Sequence, residues 1–96
     1  MTRSILMYER YYHEGEARQY HLQYYLLIDQ VTFGCNSLDI YGAKVLAFCN
    51  GEYLDQKVIR GITPFGPRIT AIVNRLADSL ATPKTMERMV LSLPPA

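Results

Sequence analysis

Six side chains could ligate a metal or act as nucleophile and base: His13, Glu14, Glu16, His21, Cys35 and Cys49. None falls at a metal-ligand spacing, since the chain has no Cys-x2-Cys, no His-x3-His and no His-Glu-x-x-His. A thiol–imidazole dyad would need spatial contact that spacing alone does not supply. Cys49 lies in an alternating apolar stretch, where a thiol behaves as a small hydrophobe, whereas Cys35 sits in a glycine-containing turn and is the better candidate for an exposed thiol. Glu14 and Glu16 flank Gly15 and read as a solvated turn tip, and Asp29, Asp39 and Asp55 are isolated. Gly61-Ile62-Thr63-Pro64-Phe65-Gly66-Pro67 precedes a helix but lacks the Lys-Ser/Thr of a phosphate loop, and proline removes an N–H that an anion would want. No catalytic residue, metal or cofactor is assigned, and an enzyme is not expected.

The distinctive side chains are aromatic. Eight tyrosines occur with no tryptophan, and half of them, Tyr8, Tyr11, Tyr12 and Tyr20, fall in the first twenty residues among Arg10, Arg18 and His21. Tyrosine and arginine are enriched where proteins meet, and aromatic rings also stack on unpaired bases. Interleaved Glu9, Glu14 and Glu16 would repel phosphate, which favours a protein partner over nucleic acid. The candidate contact surface is therefore Tyr8, Arg10, Tyr11, Tyr12, Arg18, Tyr20 and His21, with Lys44, Phe48, Tyr53 and Lys57 as a second patch.

These residues must be positioned by strands. His13-Glu14-Gly15-Glu16-Ala17 reads as a turn, and after it Tyr20, Leu22, Tyr24, Leu26 and Ile28 alternate with His21, Gln23, Tyr25, Leu27 and Asp29. Residues 1–18 alternate poorly, so a loose arm, a short helix and a first strand compete there. Phe33 to Ser37 is a second turn, and Leu38 to Cys49 reads as a strand. Asn50-Gly51 suits a type I′ hairpin, whose central residues need positive φ. A two-residue loop there predicts Cys49 opposite Glu52, Ala47 opposite Leu54, Val45 opposite Gln56 and Ala43 opposite Val58, with Lys57 and Ile59 on the side away from the helices. Gly61 to Pro67 is expected to end the sheet.

Helices follow. Ile69, Ile72, Val73, Leu76 and Leu80 mark an amphipathic helix opened by Pro67. Thr82-Pro83 marks a second start, followed by Met86, Met89, Val90 and Leu93, with Pro94-Pro95 as the stop. Strands followed by helices imply an α+β domain: an antiparallel meander of three to four strands with two C-terminal helices packed on one face. The expected division is 1–18 arm or first strand, 19–60 strands and 67–93 helices.

Size and charge narrow the class. Ninety-six residues make one domain, and a net charge of +1 lacks the basic excess of a dedicated duplex-DNA binder. No apolar run approaches the ~20 residues of a spanning helix, and the first ten residues turn charged too early for a secretory core. Cys35 and Cys49 bracket a predicted strand that holds them apart, so two free thiols and a cytoplasmic setting are expected.

Tyr24-Tyr25-Leu26-Leu27, Tyr41-Gly42-x-x-Val45, Gly61-Ile62-Thr63, Ile72-Val73 with Leu76, and Pro83 together resemble a family of small bacterial proteins known as a domain of unknown function. The resemblance runs from about Tyr24 to Leu93 and implies no activity. The segment up to Tyr20 falls outside that pattern and is where an added function is expected. The leading expectation is a non-catalytic binding or regulatory protein that acts by macromolecular contact. An inhibitor of a host defence nuclease carried by a phage or plasmid, such as an anti-CRISPR protein, is an alternative, and a single-stranded nucleic-acid binder is another. A homodimer would cover the sheet edge or face that so small a fold leaves open.

Overall fold

Period-two alternation and three tight turns build the first two thirds of the chain. The computed structural model describes residues 2–92. Strands β1 (Thr2–Glu14), β2 (Arg18–Phe33), β3 (Asn36–Cys49) and β4 (Glu52–Thr63) form one antiparallel sheet in the order β1-β2-β3-β4. Helices α1 (Gly66–Asp78) and α2 (Pro83–Ser92) follow and pack on one side of it. The α+β meander expected from the sequence is the fold, and within the front segment Thr2–Glu14 is its first strand rather than a loose arm or a helix. Leu93 and the Pro94-Pro95 stop lie outside the described residues.

Asn50 (φ 51°) and Gly51 (φ 83°) form the positive-φ hairpin turn between β3 and β4. The Asn50 side chain also ties this turn to the neighbouring one. Its Oδ1 accepts from the Gln19 N–H at 2.9 Å and its Nδ2 donates to the Ala17 carbonyl at 3.0 Å. Asn50→Ala forfeits both bonds and the tolerance of left-handed backbone, so the urea midpoint should fall by an amount worth about 1–2 kcal/mol.

Three irregularities break the alternation. In β1, Leu6 pairs with Tyr25 but Tyr8 pairs with Tyr24, leaving Met7 as an extra residue. That bulge flips the side-chain parity, so Tyr8, Arg10 and Tyr12 point to the helix side, and a single alternation pattern does not run through the strand. In β4, Tyr53 pairs with Phe48 but Asp55 pairs with Ala47, so Leu54 is extra. The predicted register holds at Cys49–Glu52 and then slips by one: Val45 faces Lys57, and Ala43 faces Ile59. A longer bulge at Arg60, Gly61 and Ile62 lets β4 continue to Thr63, past the point where the glycines and prolines were expected to end it. Gly61 there has φ 65°.

The core lies between sheet and helices. Leu22, Tyr24 and Leu26 from β2 and the small Ala43, Val45 and Ala47 from β3 form the floor; Ile69, Ile72, Val73, Leu76 and Met86 fill it from above. Small residues on the central strand let α1 approach closely. Leu80 does not continue the helical stripe as predicted. It takes a left-handed conformation (φ 53°) beyond the helix end and is 41% exposed, while Ala77 and Ala81 are buried in its place. The Ala81 N–H bonds back to the Leu76 carbonyl at 2.9 Å, closing a Schellman-type stop. Thr82 caps α2 as expected: its Oγ1 accepts from the Thr85 N–H at 3.3 Å, and the Thr85 hydroxyl accepts in return from the Thr82 N–H at 2.9 Å.

Candidate functional site

Both helices lie on one side, so the other side of the sheet is uncovered. Register brings four aromatic rings into one row across it: Tyr11 opposite His21, His21 opposite Phe48, and Phe48 opposite Tyr53. Tyr11 and His21 stack with centroids 4.3 Å apart and planes within 6°, and His21 meets Phe48 at 5.6 Å. Phe48 and Tyr53 meet edge to face at 6.3 Å. The outer rings, Tyr11 and Tyr53, are each 60% exposed. Stacking at the ~4.8 Å strand spacing sets Tyr11, His21 and Phe48 with their faces against one another, while Tyr53, at 80° to Phe48, is turned across the end of the row.

A chain of polar bonds holds the row in place. The Glu9 carboxylate contacts His21 Nε2 at 2.9 Å and accepts from Gln23 Nε2 at 3.1 Å. Gln23 Oε1 in turn accepts from the Tyr25 hydroxyl at 3.0 Å, and the Lys44 ammonium lies 4.5 Å from the Tyr25 ring centroid. Side chains already fixed in this way lose less freedom when a partner arrives. Around them the surface is apolar: Leu6, Leu38 and Val58 are exposed, and Leu46 and Ile40 are half-buried. Leu27, between Ser4 and Gly42, is buried even on this uncovered side.

The two predicted patches are therefore redistributed. Tyr11, His21, Lys44, Phe48 and Tyr53 share the open side, drawn from both patches. The other six lie on the helix side. The Tyr8 hydroxyl donates to Asn74 Oδ1 of α1, and the Arg10 guanidinium sits 5.1 Å from the Tyr8 ring centroid. Tyr12 and Tyr20 stack on each other at 4.8 Å past the start of α2, with exposed Arg18 beside them. Lys57, predicted on the far side from the helices, pairs with Glu87 of α2 at 3.3 Å because the Leu54 bulge reverses its parity. Tyr25 falls on the His21 side, as alternation places it, whereas sequence reading missed Leu6 and Val58 as members of the open surface. Leu6 and Val58 needed the two bulges.

The helix side carries its own recess. A cavity of about 290 Å³ opens between Tyr12, Tyr20, Leu22, Leu54 and the start of α2 at Pro83, with Glu14, Asp55 and Lys84 also lining it. Burial, then the neighbouring Tyr20 and Glu14, push the Tyr12 hydroxyl above its ordinary pKa. Acids and a lysine share the lining, so its charge selects no ligand. Cys35 is exposed at the β2–β3 turn, some 40 Å of strand away from His21 at ~3.3 Å per residue. Cys49 is opposite Tyr20, on the side of the sheet away from His21. Neither thiol can reach the His21 imidazole, and the described residues contain no group of three His, Cys, Asp or Glu side chains placed for a metal. No helix among the described residues is long and apolar enough to cross a membrane.

Such a molecule is an α+β sheet protein with one face backed by helices and the other bare. The chain belongs to the family of unknown function DUF6514, which matches residues 3–91. The match takes in β1 together with everything after it, so the tyrosine-rich front is part of the family's own domain and not an addition to it. No curated protein and no solved structure matches the chain.

Proposed function

We propose that this is a non-catalytic binding protein whose open sheet side, centred on the Tyr11–His21–Phe48–Tyr53 row, docks on another protein. The observation that carries this reading is the row itself. It is three stacked rings with Tyr53 edge to face at the end, held by the Glu9–Gln23–Tyr25 bonds, on a surface where a solvated sheet would carry charge. With Tyr11, His21 and Phe48 stacked on one another, few ring faces are left for bases to stack on, which favours protein contact over nucleic acid. The net charge of +1 points the same way. Two free thiols support a reducing, cytoplasmic setting. An inhibitor of a host defence nuclease would be this same mode of action with a particular target.

Deleting residues 1–18 would remove a strand of the sheet, so point variants are the proper test. Tyr11→Ser/Tyr53→Ser should weaken salt-resistant capture of a protein partner at least ten-fold, the ~1.4 kcal/mol or more expected of interface aromatics, while Arg18→Ala on the helix side leaves it unchanged. Capture lost in Arg18→Ala and kept in the double variant overturns the reading. Retention on RNA that collapses steeply with salt would put nucleic acid in the partner's place.

A further inference from the structure

We propose that the open side of the sheet binds the same side of a second copy of this chain, about a two-fold axis running along the strands between β2 and β3. This rests on the reading of the open side as a contact surface and names its occupant. Three features of the surface carry it.

Charge is divided across the strands. Glu9 and Asp29 belong to β1 and β2, whereas Lys44 and Arg60 belong to β3 and β4. A two-fold axis parallel to the strands lays β1 over the partner's β4 and β2 over the partner's β3, so each acid-bearing strand meets a base-bearing one. The other in-plane axis, perpendicular to the strands, would set β1 on β1 and β2 on β2, so that no acid-bearing strand meets a base-bearing one. Charge therefore selects the axis.

The aromatic row is self-complementary under that operation. Rotation about an axis along the strands keeps each cross-strand row at its own level. Tyr11 then lies over the partner's Tyr53, and His21 over the partner's Phe48. The exposed rings of one row meet those of the other, as in the aligned packing of two sheets.

The area is adequate. Four strands at ~4.8 Å and about nine residues at ~3.3 Å give a flat footprint on the order of 600 Å², and side-chain relief raises it towards the ~800 Å² per partner of a standard interface. The product is a four-layer particle with two sheets inside and the helices outside, which leaves no bare sheet face.

Sedimentation equilibrium on the full chain tests this. The wild type should run at twice its 11.0 kDa chain mass. Tyr53→Glu, at a 60% exposed position, should keep its circular dichroism and weaken the dimer at least ten-fold, and Lys84→Glu on the helix side should remain dimeric. A wild type at chain mass up to its solubility overturns the proposal. So does a dimer indifferent to Tyr53→Glu whose β1 amides exchange slowly, which is pairing through the sheet edge. If a monomeric wild type still captures a different protein through the aromatic row, this inference fails while the contact-surface reading stands.

Discussion

Gly42→Ala should destabilise the protein by at least about 3 kcal/mol, read as a fall in urea midpoint, or leave it unfolded. The glycine is in β3 opposite Leu27, where alternation points a side chain to the open side. β4 rides over that position at its long bulge. A Cβ on residue 42 would stand 2.4 Å from the Ile59 carbonyl oxygen and 2.9 Å from the Arg60 Cα. Both obstacles are backbone, so neither can swing aside by changing rotamer, and relief requires β4 to leave its ladder. Gly34→Ala is the informative comparison. It meets nothing within 4 Å and violates only a positive φ of 57°, so its cost should be near the ~1 kcal/mol of left-handed backbone. Equal losses in the two variants would mean that backbone conformation, and not the close approach of β4, accounts for Gly42.

Gly42 also shows where sequence reading stops. Local turn chemistry announced the Asn50-Gly51 hairpin, and periodicity announced α1 and both faces of β2, because each signal is carried by neighbours in the chain. A bulge is decided by what lies across the ladder. Met7 and Leu54 carry no local mark of an extra residue, yet each changes which side all later residues of its strand face, and Gly61, which marks the third bulge, reads locally as the end of the sheet. Leu80 is a related case: its spacing fits the helical stripe, but the Schellman stop ends the helix before it.

The same effect governs how much of the surface was legible. His21, Lys44 and Phe48 lie in regular stretches of β2 and β3, and their common side followed from alternation. Tyr53 precedes the bulge in β4 and was placed correctly, whereas Lys57, four residues later, was not. In the first strand, Tyr8, Tyr11 and Tyr12 share composition but not orientation. Composition alone merged them into one surface, and the sheet separates Tyr11 from the other two. The single row across four strands is a long-range product of three registers, so no local window contains it.

Tyr24 is the side chain whose loss should cost most among the tyrosines. It is fully buried in the middle of β2, and its hydroxyl donates to the Ala81 carbonyl at 2.9 Å, tying the sheet to the α1–α2 junction. Tyr24→Ala should cost about 3–5 kcal/mol as a buried ring is replaced by a cavity. Tyr24→Phe keeps the ring but leaves that carbonyl without its donor, for about 1–3 kcal/mol at neutral pH. The two forms should also differ in alkaline solution. Burial holds the Tyr24 pKa far above its ordinary value of 10.0, with Tyr12 adding to the effect and Arg10 opposing it. Above pH 10 the unfolded chain releases this proton and the folded chain keeps it, so the unfolded state binds fewer protons and stability falls as pH rises. The slope approaches ~1.4 kcal/mol per pH unit for this one group. Tyr24→Phe lacks this contribution. The stability advantage of the wild type over Tyr24→Phe should therefore be constant below pH 9 and shrink between pH 10 and 11.5. Parallel pH–stability curves across that window would show that Tyr24 ionises as readily folded as unfolded, which a sealed hydroxyl bonded to Ala81 does not permit.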